Sequence, residues 1–257
     1  MEEVYKRVGS VVTKAALEQM RGQVSSIVKD QYLEVIYPQP QGQTRQRQRE
    51  LRGLDQIYCQ MIESYVRSIL EYDIQMAPFI YLGSEQSGKT TFLLEDGRKV
   101  YFKGTIDRMD SLEMKQGANV GEVRIRVVDY KTGGAELKLS SWDKLHDSKY
   151  KAIVQTLIYC AFSVSSGQPA QSLYPAIYAL RGTEGLMVST ESFDPLVKLP
   201  DENGKNALPR PYSEVEERFN KFMKEVLSEL FDPSVPFCQT EDSKVCDYCP
   251  FASSCGR

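Results

Sequence analysis

The feature that most constrains this chain is a change of hydrophobic period near Pro78. Before it, Leu54, Tyr58, Met61, Ile62, Tyr65 and Ile69 recur at helical spacing, which predicts a helix over about Leu51–Tyr72. After it the pattern becomes that of strands. Thr91–Leu94 and Val100–Phe102 flank Glu95-Asp96-Gly97-Arg98, where Asp-Gly supplies the positive φ that a tight hairpin needs. A third strand, Glu122–Asp129, carries Val123, Ile125, Val127 and Val128. A helix over about Ser148–Ser163, a strand over Leu173–Leu180 and a last helix up to about Phe231 follow, the last opened by Ser213 and Glu216 as a capping box. Upstream, a further periodic stretch runs from Thr13, a candidate N-cap, to about Val35, and Pro38 and Pro40 then break the chain. Helix, three strands, helix, strand, helix is the order of a mixed α/β fold, a central sheet flanked by helices.

Composition narrows the function classes. Of 257 residues, 41% are hydrophobic and 26% charged, which is globular usage and excludes disorder or coiled coil as the main architecture. The longest apolar stretch, Ala152–Phe162, is interrupted by Gln155 and Thr156 and is too short to span a bilayer. The opening Met1-Glu2-Glu3-Val4-Tyr5-Lys6-Arg7 has no apolar signal core, so a cytoplasmic chain with no membrane partner is expected. The net charge of −3 supplies no positive field, so a nucleic-acid partner requires a local basic patch. The run Arg45, Arg47, Arg49, Arg52 is either such a patch, set to touch phosphates, or a solvated loop.

Two strand ends carry the chemistry. One reads Gly104-Thr105-Ile106-Asp107-Arg108-Met109-Asp110, the other Val127-Val128-Asp129-Tyr130-Lys131-Thr132-Gly133. Asp129 and Lys131 are two apart and so share a face of their strand. If Asp107 lies on a neighbouring antiparallel strand, two carboxylates face each other, and they repel unless a divalent cation sits between them. Oxygen ligands with open positions suit Mg²⁺ or Mn²⁺, and such an ion can activate water and neutralise a phosphodiester. The plainer alternative is a surface ion pair at the end of a sheet. On the next predicted helix Gln155 and Tyr159 fall one turn apart on one face, which a core tyrosine beside a solvated glutamine would equally explain.

Taken together, Gly-x-Ile-Asp-Arg-x-Asp, then Asp-Tyr-Lys-Thr-Gly, then Gln-x-x-x-Tyr resembles the PD-(D/E)XK nuclease superfamily, and within it the RecB-like, AddB-type nuclease domains of helicase–nuclease repair complexes. The resemblance covers about Leu51–Arg257 and implies a restriction-endonuclease-like core with an extra N-terminal helix, a C-terminal helix and a Cys-rich tail. It divides the chain into a nuclease domain, 1–235, and the tail, 236–257. It implies a metal-dependent DNA exonuclease acting on single-stranded ends fed by a helicase domain or subunit, or a non-catalytic DNA-binding scaffold of such a complex. By resemblance Asp107, Asp129 and the Tyr130 carbonyl hold Mg²⁺ or Mn²⁺, Lys131 orients the attacking water and lowers its pKa, and Gln155 and Tyr159 help hold the lysine region and the DNA backbone. Asp110 follows the family pattern without an assigned role. Ile106 stands at the position of the family's proline, as is common in the RecB branch. Such domains also carry a metal-binding His ahead of the first helix, and none precedes Asp107 here. The single His of the chain, His146, lies after Lys131 in a polar stretch. The expectation is therefore a fragment cut within the nuclease domain, with an incomplete metal site.

Cys238, Cys246, Cys249 and Cys255 crowd into the last twenty residues, whereas Cys59 and Cys160 lie alone in apolar helical patterns. Clustered thiols without a signal sequence point to a metal or iron–sulfur site rather than to disulfides. The Cys246-x2-Cys249-x5-Cys255 spacing resembles the C-terminal triad of AddB-type 4Fe–4S nucleases, whose fourth ligand lies upstream of the His. Here only Cys59, otherwise a core residue, or Cys238 could substitute. Three reduced surface thiols are the plainer alternative. One motif competes: Gly83-Ser84-Glu85-Gln86-Ser87-Gly88-Lys89-Thr90 spells a P-loop, with Val127-Val128-Asp129 as a possible metal-binding strand. A P-loop must lead into a helix whose N-terminus meets the phosphates, and the residues that follow favour a strand.

Overall fold

The computed structural model describes residues 1–38, 51–114, 120–180, 194–247 and 249–257. Arg45, Arg47 and Arg49 lie outside them. The described order is α1 (Glu2–Val8), β1 (Val11–Val12), α2 (Lys14–Arg21), α3 (Val24–Ile36), α4 (Leu54–Met76), β2 (Phe79–Leu93), β3 (Lys99–Glu113), β4 (Val123–Lys131), α5 (Lys151–Ser165), β5 (Leu173–Ala179), β6 (Lys198–Leu199), β7 (Leu208–Pro209) and α6 (Glu216–Leu230). Strands β1 to β5 form one sheet in sequential order. The pairs from β1 to β4 are antiparallel, and β5 joins β4 in parallel. A parallel neighbour needs a long crossover, which α5 and its flanking turns provide. This is the mixed sheet flanked by helices that the period changes imply.

The hairpin forms where Asp-Gly places it. Gly97 has φ 83°, Leu94 N donates to Arg98 O at 2.9 Å, and Asp96 accepts from Arg98 N at 2.9 Å. Both strands extend well beyond the apolar runs that signal them. In β2, Ser87, Lys89, Thr91 and Leu93 are exposed while Gly88 and Phe92 are buried, so the strand continues through a polar, half-solvated stretch. That stretch contains the P-loop letters. Residues 86–93 pair one by one with β3, so no helix follows the motif and the nucleotide-binding reading fails. Its glycine has a packing cause instead. Gly88 pairs with Gly104, and a Cβ added at Gly88 would come within 2.6 Å of the Phe162 ring on α5. Two facing glycines let a bulky helix side chain lie against the strands.

Three boundaries differ from the sequence reading. The stretch from Thr13 is two helices, separated at Gly22 and Gln23, although Thr13 does cap α2 by accepting from Ala16 N at 3.3 Å. The helix expected from Ser148 begins with a 3-10 turn and becomes α-helical at Lys151. Ser213 caps nothing: Tyr212–Glu214 form a 3-10 turn, pinned by the wholly buried Tyr212, and α6 starts after Val215. Helix α1 carries no strong periodic signal, and Glu2–Lys6 and Glu3–Arg7 pairs lie along it.

The sheet has two covered faces. Ile125 and Val127 of β4 and Ile177 of β5 join α5 and α6 in the largest core, with Leu157, Phe162 and Phe219. On the opposite face Val128, Ala176 and Tyr178 meet Ile69 and Tyr72 of α4. All of β5 is buried, as expected of a strand covered on both sides. Helices α1 to α4 and β1 enclose a further core that includes Cys59.

Candidate active site

The alternation of β4 decides which side chains meet. Ile125 and Val127 face α5, so Asp129 and Lys131 continue that set past the point where the apolar packing ends. On α5 the same face offers Gln155 and Tyr159. Lys131 Nζ donates to Asp129 Oδ1 at 3.0 Å and to Gln155 Oε1 at 2.7 Å, and Gln155 Nε2 donates to Tyr159 Oη at 2.6 Å. Four of the expected site residues thus form one hydrogen-bonded chain from sheet to helix. Gln155 is no solvated bystander, since its amide carbonyl fixes the ammonium. Lys131 stays 27% exposed beside an Asp129 that is 1% exposed.

Asp107 arrives from β3. The ladder between β3 and β4 pairs Met109 with Val127 and Arg108 with Val128, so Asp107 and Asp129 are next in line. There the strands part, and the Asp107 carboxylate takes the place of a backbone acceptor: Tyr130 N donates to its Oδ2 at 2.8 Å. Burial, with Asp107 adding to it, outweighs the pull of Lys131 and holds the Asp129 carboxyl up at about 6. Two carboxylates at the open end of a strand pair, with one ammonium beside them, carry a surplus of negative charge.

Whether these residues suit a divalent cation is tested by one atom. Asp129 Oδ2 is buried and accepts no hydrogen bond, although Lys131 Nζ stands 2.8 Å away. A buried carboxylate oxygen left without an aligned donor is costly, and an unfilled ligand position explains it. Asp107, Asp129 and the neighbouring Tyr130 carbonyl are an all-oxygen donor set, which fits Mg²⁺ or Mn²⁺ retaining several waters. Among the described residues no three His, Cys, Asp or Glu side chains form a metal-holding group.

Behind the site lies a buried ionic network that the sequence reading missed. Arg108 donates to Asp73 Oδ2 at 2.7 Å, to Asp110 Oδ2 at 2.7 Å and to Tyr130 Oη at 3.1 Å, and Tyr178 Oη donates to Asp73 Oδ1 at 2.9 Å. Tyr5 Oη also donates to Asp73, and Arg126 Nε donates to Asp110 Oδ1 at 2.6 Å. Burial raises the Asp110 carboxyl, but Arg126 and Arg108 outweigh it and hold the group below its ordinary value. Asp110, without an assigned role from sequence, therefore joins β3 to β4, while Arg108 ties α4 to Tyr130. The signal available was Asp73 itself, an acid in a helix interior between Tyr72 and Ile74.

The other candidates lie elsewhere. His146 packs edge-on against Phe222, with centroids 5.0 Å apart, in the α5–α6 layer. Cys160 is buried beneath the sheet and its thiol is pushed well above its ordinary value by burial. Cys238, Cys249 and Cys255 are exposed and Cys246 half-exposed. The tail winds through tight turns, with Cys249 N donating to Cys246 O at 3.0 Å and Gln239 Nε2 donating to Cys255 O at 2.7 Å. No helix among the described residues is long and apolar enough to cross a membrane.

Over 131 residues, 51% of its length, this chain is 30% identical to an ATP-dependent helicase/deoxyribonuclease subunit from Alkaliphilus oremlandii, and the match covers 9% of that protein. A protein of the same description from Acetivibrio thermocellus is 35% identical over 75 residues, 29% of this chain and 6% of its own length. The chain thus corresponds to a small part of the curated relatives it matches. The PD-(D/E)XK nuclease superfamily profile matches residues 1–256. That match spans nearly the whole chain, and the chain belongs to the PD-(D/E)XK nuclease superfamily.

Proposed function

We propose that this chain is a divalent-metal-dependent deoxyribonuclease domain that acts on DNA ends, with single strands supplied by a helicase domain or subunit in the cytoplasm. The observation that carries the reading is the buried Asp129 Oδ2, ion-paired to Lys131 yet without an aligned hydrogen-bond donor, next to Asp107 at the parting of β3 and β4. The relatives' description as helicase/deoxyribonuclease subunits supports DNA as substrate and a motor as partner.

In this reading Asp107, Asp129 and the Tyr130 carbonyl hold Mg²⁺ or Mn²⁺. The bound ion would supply an acidified water and charge neutralisation at the scissile phosphate. Lys131 does the rest of the positioning. Its ammonium is held by Asp129 and Gln155, which leaves its third proton to hydrogen-bond a water or a phosphate oxygen. Gln155 holds Lys131 in register, and Tyr159 fixes the Gln155 amide so that its carbonyl faces the lysine. Residues 1–235 form the nuclease domain. The tail, 236–257, offers Cys246, Cys249 and Cys255 as three thiolate ligands of a 4Fe–4S cluster whose fourth ligand comes from elsewhere; solvent-accessible thiols within ten residues, Cys246 half-exposed and the other two exposed, are a donor set that suits it.

The test is Lys131→Met with Mg²⁺ on a DNA bearing a single-stranded end. Loss of cleavage, with the far-ultraviolet circular dichroism spectrum and melting unchanged, is expected. A variant that still cuts refutes the assignment, and a wild type that binds ends without cutting in either metal points to a non-catalytic scaffold.

A further inference from the structure

A third carboxylate stands at the site, on a strand that the family motifs do not reach. Strand β2 is irregular between Tyr81 and Gly83, and beyond the irregularity Ser84 pairs with Arg108 and Gln86 with Ile106. Glu85 is therefore the residue across from Asp107. Its backbone is left-handed, φ 51°, which is uncommon for a non-glycine residue and is found where a side chain must be re-aimed. The local chain is shaped for this. Gly83 has φ 143°, and a Cβ there would lie 2.3 Å from Gln86 Nε2, which donates to Leu82 O at 2.9 Å. The glycine and the glutamine thus close a small knot that turns Glu85 over.

Glu85 and Asp107 line one cleft of about 610 Å³, together with Tyr130, Tyr65, Ile69 and Ile27. Like charges directly across a strand pair destabilise it. The Glu85 carboxyl is raised above its ordinary value, first by the surface it lies against and then by Asp107; Glu2 adds to this, and the Met1 ammonium opposes it more weakly. The fields of Asp107, Asp129 and Glu85 all reach Tyr159. A left-handed backbone that sets a second acid beside Asp107 in one cleft costs free energy, and a cation recovers it. Asp129 Oδ2, buried beside Lys131 and without an aligned hydrogen-bond donor, independently marks where that cation is wanted.

Resting on the metal reading above, we infer that Glu85 is an outer-sphere carboxylate of the divalent-ion site, accepting hydrogen bonds from the water shell of the ion that Asp107 and Asp129 bind. Outer-sphere action agrees with the finding that no three acids among the described residues gather as direct ligands. It also suits Mg²⁺, which keeps several waters and takes one or two carboxylates.

The experiment is Mn²⁺ titration followed by electron paramagnetic resonance, with melting of the metal-free proteins, for wild type, Glu85→Gln, Glu85→Asn and Asp107→Asn. Asparagine tolerates left-handed backbone, so Glu85→Asn keeps the fold under test if Glu85→Gln misfolds. Both Glu85 variants should weaken Mn²⁺ binding by about 10-fold or more, the usual effect of removing an outer-sphere partner, with no fall in metal-free melting temperature. Unchanged Mn²⁺ affinity in a folded Glu85 variant overturns the inference. If Asp107→Asn abolishes binding while the Glu85 variants do not alter it, Glu85 alone is misassigned. If wild type binds no Mn²⁺, or Asp107→Asn binds it as wild type does, the metal reading itself falls.

Discussion

Replacing Asp129 by Asn should stabilise the metal-free protein at neutral pH while abolishing the cleavage proposed for it. The carboxyl is 1% exposed and titrates at about 6 in the fold, against 3.8 in an unfolded chain. The sign follows from proton binding. Between pH 3.8 and 6 the folded state holds a proton that the unfolded state has released, so stability falls as pH rises through this window. Above pH 6 the cost is complete, about 3 kcal/mol at 1.36 kcal/mol per pKa unit. Asn removes that cost, which is already net of the Lys131 contact, and Gln155 still accepts from the ammonium. A net gain of about 1–3 kcal/mol is expected, at about 2–4 °C per kcal/mol for a domain of this size. Thermal melts in EDTA at about pH 7.5 and about pH 3, on either side of that window, measure it. The gain should be present at the higher pH and absent at the lower, and Mn²⁺ should raise the melting temperature of wild type but not of Asp129→Asn. A variant less stable than wild type at the higher pH, or one whose gain persists at the lower, refutes the account of a destabilised site carboxylate.

Other consequences are equally concrete. Gly88→Ala places a Cβ within 2.6 Å of Phe162 and should cost about 1–3 kcal/mol in urea unfolding, as overpacking does; a neutral effect would mean the α5 contact is loose. Asp73→Ala leaves Arg108 buried with Asp110 as its remaining carboxylate and should destabilise by about 3–5 kcal/mol, with a loss under about 1 kcal/mol showing that Asp110 alone suffices. Lys89→Ala, in an exposed and fully paired stretch of β2, should leave Mg²⁺-ATP binding as negligible as in wild type, measured by calorimetry. Anaerobically reconstituted protein should show the visible charge-transfer absorbance of an iron–sulfur centre, and Cys246→Ser should remove that band, if the tail thiolates ligate a cluster.

The motif was legible because its logic is local. Asp129 and Lys131 share a face through the two-residue period of a strand, and Gln155 and Tyr159 share one through the helical turn, so their pairings follow from spacing once the elements are placed. The Asp-Gly hairpin is equally local. The ends of elements were less so: Gly22 divides a periodic stretch, and the buried Tyr212 overrides a capping box at Ser213, because packing outweighs the fraction of a kcal/mol to ~2 kcal/mol that a cap contributes.

From sequence alone came the kinds of element, their order, and the acids and lysine that two strand ends present. These rest on periodicity and on side-chain chemistry, which neighbours in the chain already carry. Tertiary structure decided what lies across from what. The register of β2 on β3 puts Glu85 beside Asp107, the parting of β3 and β4 gives the Tyr130 amide to Asp107, and Asp73 reaches Arg108 across 35 positions. No local pattern encodes those distances, since they depend on strand alignment and on the burial that leaves a charged group no water and hence makes its partner obligatory.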